Sequence, residues 1–167
     1  MKDEVTEYLI EQYPFLKVKN PGYSCTWTNS WLDELEPGWK AAFGLDFCKE
    51  LAEAIKKDNC EDKFEFLQIK EKFAELRVYY SGGGPEVRKV IAKYEELSRY
   101  ICGRCGQPAT KITRGWYYPL CDACIQDVQG GYSPIWSFYN FPSMVEVQKE
   151  VENIKTNFNY EDYRGLL

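Results

Sequence analysis

Four cysteines fall as two pairs, Cys102-x-x-Cys105 and Cys121-x-x-Cys124, with fifteen residues between the inner members. Two thiolates three residues apart on a tight turn can face one point. Two such turns, joined by a short hairpin, complete a tetrahedron around a zinc-sized ion. The chain contains no histidine, so a closed site here must be built from sulfur alone. Four thiolates leave no open coordination position, which predicts a structural metal rather than a catalytic one. Zinc is the expected ion and iron the alternative, because tetrahedral four-sulfur sites accept both. In the first turn Gly106 follows the second ligand, a position that needs positive φ, which glycine adopts without strain. Cys25, Cys48 and Cys60 have no ligand spacing and read as core or incidental thiols.

A chain of 167 residues makes one domain, or one domain with a small appendage, and can bury a core that does not depend on the metal. Net charge is 21 − 26 = −5, which favours solubility and argues against a dedicated nucleic-acid binder. The charge is uneven. From Asp33 to Glu65 ten acids face five lysines, whereas from Arg88 to Arg114 seven bases face Glu95 and Glu96. This asymmetry reads as ordinary surface decoration, with two faces of opposite sign as the sharper alternative. The start, Met1-Lys2-Asp3-Glu4, lacks the apolar run of a secretory signal, and no apolar stretch approaches membrane-spanning length. Seven cysteines in that context point to a reducing compartment, hence a cytoplasmic protein with no membrane partner.

The pattern predicts an α+β fold: a helical body, a small antiparallel sheet and a zinc-ribbon-like hairpin of four cysteines. A short helix is expected over 3–12, with Val5, Tyr8 and Leu9 inward, ended by Pro14. Residues 17–37 read as irregular. A longer helix follows Pro37-Gly38, its apolar stripe formed by Phe43, Phe47, Leu51, Ala54 and Ile55. Two strands around a turn are expected over 64–80, with Leu76, Val78 and Tyr80 inward and Arg77 and Tyr79 outward. Ser81-Gly82-Gly83-Gly84 breaks the second strand, and Pro85 suits the first turn of the next helix. That helix carries Val87, Val90, Ile91, Tyr94 and Leu97 on one face and runs almost directly into Cys102. Pro142 precedes Ser143-Met144-Val145-Glu146, a capping box that opens a last helix with Val147, Val151, Ile154 and Phe158 as its apolar face. The expected organisation is a body over 1–100, the hairpin over 101–126, and an aromatic loop and helix over 127–167 packed on the body.

The block Lys70-Glu71-Lys72-Phe73-Ala74-Glu75-Leu76-Arg77-Val78-Tyr79 resembles a widespread group of small uncharacterised proteins of bacteria and their phages. Members show a Gly-Trp helix start with a later cysteine, matched here by Gly38-Trp39 and Cys48. A Gly-rich break, a helix and a metal-ligand hairpin follow the block. The second pair in that group often ends in histidine, where this chain has Cys124. The resemblance spans roughly 37–125. It implies the fold, the metal and a phage or mobile-element origin, and it carries no activity.

Other candidate sites each have two readings. Lys70, Lys72, Arg77 and Tyr79 form either a solvated sheet face or a strip that binds a protein partner. The triple glycine lacks the Gly-Lys-Ser/Thr ending of a phosphate loop and reads as a plain turn. Trp116, Tyr117 and Tyr118 either pack the hairpin onto the preceding helix or, with Arg104, Lys111 and Arg114, stack on nucleic-acid bases. The aromatic loop with Tyr132, Trp136, Phe138, Tyr139 and Phe141 either seals the core or offers a hot-spot patch to a partner. Without histidine, a nucleophile elbow or an open metal position, an enzyme is not the expected outcome. The reading is a non-enzymatic, zinc-stabilised interaction protein that binds, and so inhibits or redirects, a bacterial protein complex. Nucleic-acid binding is the first alternative, and a carboxylate-based metal-dependent enzyme such as a nuclease is the second.

Overall fold

A computed structural model of the chain describes residues 4–19, 30–113, 116–128, 132–134 and 143–162. It is an α+β fold, and the described residues include four α-helices, α1 Glu4–Gln12, α2 Pro37–Lys57, α3 Pro85–Ser98 and α4 Met144–Asn157. A two-stranded antiparallel sheet joins β1 Glu65–Lys72 to β2 Glu75–Ser81. A second sheet has the order β4-β3-β5, from β3 Lys111–Thr113, β4 Pro119–Leu120 and β5 Tyr132–Pro134. Tyr132, expected in a loop, therefore lies on a strand that extends the cysteine hairpin. Trp136, Phe138, Tyr139 and Phe141, like Cys25 and Arg114, lie outside the described residues.

The stripe predicted for α2 is buried, and Phe43 and Phe47 pack their rings against Tyr94 of α3. Burying that stripe removes several large apolar side chains from water, each worth roughly 1.5–3 kcal/mol. Val147, Val151 and Ile154 of α4 join the same core, with Phe158 against it. The Ser143 hydroxyl accepts from the Glu146 amide, which starts α4 as its capping sequence predicts. Cys48 and Cys60 are core thiols, and burial pushes the Cys48 thiol up to about 12. At the first helix the expectation fails in part. Val5 and Tyr8 are exposed, whereas Leu9 and Ile10 pack with Tyr13 and Phe15 on the core. The second half of the helix, which leads into the short turn Pro14–Leu16, packs on the core, while Val5 and Tyr8 in the first half are largely exposed.

Register explains the sheet. A bulge between Phe66 and Gln68 lets Phe66 and Ile69, three apart, both reach the core, a spacing that plain alternation forbids. Lys70 pairs with Arg77 and Lys72 with Glu75, so Lys70, Lys72, Arg77 and Tyr79 do share one face. That face is not uniformly solvated. Arg77 is only 15 % exposed and forms an ion pair with Glu75, itself buried and also bridged by Arg99. The outer edge of β2 is covered from α3, where Ser98 Oγ accepts from the Leu76 amide and Glu95 from the Val78 amide. Side chains thus satisfy an edge that would otherwise recruit another strand.

Candidate metal centre

Two tight turns bring the cysteines together. In the first, the Gly106 amide donates to the Cys102 carbonyl, and Gly106 has φ +84°, as the spacing predicts. In the second, the Cys124 amide donates to the Cys121 sulfur at 3.4 Å. The segments between are stitched by Thr110 N to Leu120 O and Gly103 N to Pro119 O. Cys102, Ala109, Leu120, Cys121 and Ile125 form a small core of their own, separate from that of the body. All four sulfurs lie within 4.8 Å of one another, and Cys105 and Cys121 are 3.6 Å apart. A disulfide needs about 2.05 Å. Metal–sulfur bonds of about 2.3 Å at tetrahedral angles separate the sulfurs by about 3.8 Å. The spacing therefore fits a metal ion and does not fit disulfides. Among the described residues this is the one group of cysteine and carboxylate side chains close enough to hold an ion.

The start of α2 is the seat on which this finger rests. The Gly38 amide donates to the Gly103 carbonyl at 2.7 Å, and the Trp39 indole N–H donates to Ile101 O at 3.0 Å. A β-carbon on Gly38 would lie 2.0 Å from the Cys102 carbonyl oxygen and 2.6 Å from the Gly106 nitrogen. Only glycine permits this backbone-on-backbone approach. The positive end of the α2 dipole consequently faces the turn that carries Cys102 and Cys105. Sequence patterning shows only that α3 runs almost directly into Cys102, and this seat on α2 goes unread in it. The available signal was Gly38, a poor helix former in a first turn that nothing local requires.

The aromatics beyond β3 lie by the start of α2 and the tip of the β1–β2 hairpin rather than on α3. Tyr118 covers Gly103 and donates to Glu36, just before α2, at 2.5 Å. Trp116 and Tyr117 are 76 % and 49 % exposed and lie beside Phe73, at the tip of the β1–β2 hairpin, with the Phe73 and Tyr117 rings 6.3 Å apart. With Glu71 and Lys72 these three rings line a cleft of about 300 Å³. Arg104 and Lys111, expected beside them, are engaged elsewhere: Arg104 donates to the Cys124 carbonyl and Lys111 pairs with Asp122. Lys70 lies over the Tyr79 ring at 5.3 Å.

Comparison of the chain with known families, with curated proteins and with solved structures returns no match.

Proposed function

We propose that this is a non-enzymatic interaction protein whose finger is held by a structural zinc ion on Cys102, Cys105, Cys121 and Cys124. The observation that carries the reading is the set of four sulfurs within 4.8 Å of one another; a zinc ion held by all four would have no open position for a substrate. Bound there, the ion supplies fixed geometry: it locks two turns into one finger. The chain's own residues then seat that finger on α2 and hold Trp116 and Tyr117 out in solvent. Exposed rings beside a rigid support suit recognition of another macromolecule. Following the resemblance to bacterial and phage proteins, the specific form we propose is binding that inhibits or redirects a bacterial protein complex.

The second reading, nucleic-acid binding, is favoured by exposed Trp116 and Tyr117 and opposed by the internal engagement of Arg104 and Lys111. One set of measurements separates these. Purified protein is expected to carry one zinc per chain by elemental analysis, and Cys105→Ser to lose both the metal and the amide protection of the hairpin. Complexes formed in bacterial lysate are expected to survive nuclease and to contain a stoichiometric protein. Complexes that dissolve with nuclease and weaken steeply with salt would favour nucleic acid. Cleavage of nucleic acid by the pure protein with magnesium or manganese would overturn the non-enzymatic reading, and iron in place of zinc would correct the metal.

A further inference from the structure

The tip of the β1–β2 hairpin breaks a local rule. Its two turn residues, Phe73 and Ala74, have φ +53° and +68°, the paired left-handed conformation of a tight hairpin turn in which Asn-Gly is strongly preferred. Each non-glycine residue held there carries a steric cost that glycine avoids. The turn is nevertheless sustained, because the Glu71 carboxylate accepts from the Ala74 amide at 2.7 Å. The result is a phenyl ring 61 % exposed at the lip of the cleft, where a small polar residue would be both more stable and more soluble. Strain kept at an exposed aromatic is the pattern of a binding position.

The chemistry of the cleft indicates its occupant. Phe73, Trp116 and Tyr117 supply negative ring faces, and Glu71 adds a carboxylate to the same lining. Glu36 lies near enough for its charge to act on Glu71, whose carboxyl burial pushes upward, with the Ala74 amide and the Trp116 side chain pulling it down. A cation entering the cleft would relieve that repulsion. The rings already accept one, since the Lys72 ammonium lies 5.8 Å from the centre of the Phe73 ring. Phosphate would meet the Glu71 carboxylate, with the Glu36 charge close to it, and is disfavoured. A guanidinium matches best, because its plane stacks on aromatic faces while its edge donates in parallel to a carboxylate.

We infer that the cleft between the hairpin tip and the finger binds an arginine side chain from a basic segment of a protein partner. Trp116, Tyr117 and Phe73 form its walls and Glu71 its anchor, and Lys72 competes with the guest. The inference rests on the interaction reading above and names what the partner presents.

The test uses the full zinc-loaded chain and an acetylated, amidated Gly-Ser-Arg-Ser-Gly peptide, followed by nuclear magnetic resonance. The Trp116 indole and the Phe73 and Tyr117 amides should shift together. Glu71→Gln and a citrulline peptide should each weaken binding by about tenfold, the scale of one charge-assisted hydrogen bond. Lys72→Met should tighten it. Equal binding of the citrulline peptide overturns the inference, as does tighter occupation of the same signals by a single-stranded oligonucleotide. Zinc content and hairpin amide protection are read on the same samples. Stoichiometric zinc with no arginine binding sinks the cleft alone, whereas arginine binding by a zinc-free chain sinks the metal reading and leaves the cleft.

Discussion

Single residues set the chemistry of this protein, and Glu75 does so through its position. Burial pushes its carboxyl from the ordinary 4.5 up to about 7, with Arg77 and Arg99 pulling the other way and Glu95 and Glu96 adding to the rise. The folded chain therefore holds this proton more tightly than the unfolded chain. The resulting stabilisation is complete below pH 4.5 and is lost as pH rises through about 7. Denaturant unfolding of the body between pH 6 and 8 is expected to show decreasing stability, and Glu75→Gln to flatten that slope. The finger should show the opposite trend, since acid protonates thiolates and releases their metal. Gly38 acts through absence of a side chain. Gly38→Ala, which gains helix propensity elsewhere, should here destabilise by about 1–3 kcal/mol because the new methyl overlaps the first cysteine turn. Thermal denaturation of zinc-loaded protein measures it.

At the scale of elements, α3 begins at Gly84-Pro85 with no side-chain cap of its own. Asp58, in the loop after α2, fills that role by accepting from the Glu86 and Val87 amides at 3.1 and 2.9 Å. Asp58→Ala should cost about 1–2 kcal/mol in chemical unfolding, as lost caps do. The hairpin tip should respond in the other direction. Replacing Phe73-Ala74 by Asn-Gly is expected to raise stability by about 1–2 kcal/mol while abolishing the arginine-dependent shifts. What the sequence made legible follows the range of the interaction. The stripes of α2 and α3, the Ser143 cap and the positive φ of Gly106 depend on neighbours a few positions away, and each could be read locally. The seat at Gly38, the cap from Asp58 and the cover that Ser98 and Glu95 give the β2 edge depend on partners many positions distant. The bulge at Phe66 and the Phe73-Ala74 turn were hidden differently, because each violates the local preference on which such reading relies.

The described residues form two apolar centres, the large one of the helical body and the small one beneath the four cysteines. The body buries enough side chains to stand without the metal, whereas the finger's few are comparable to those of small domains that need a metal to fold. Removing the ion with a chelator should therefore erase amide protection over 102–128 while far-ultraviolet circular dichroism of the helices persists. Loss of both together would show a single cooperative unit. Among the described residues no helix is long and apolar enough to cross a membrane. The cleft of Phe73, Trp116 and Tyr117 spans the boundary between the two centres, so zinc loss should also disperse its walls and end arginine binding.

Because the seat joins amide to carbonyl at Gly38, with the buried Trp39 indole beside it, its alignment is written in main chain and one enclosed ring. Substitutions scattered over the outer surfaces can accumulate without tilting the finger by a degree, and homologous chains could diverge widely yet superpose at this joint. Any enlargement at that one glycine would prise the two parts of the molecule apart.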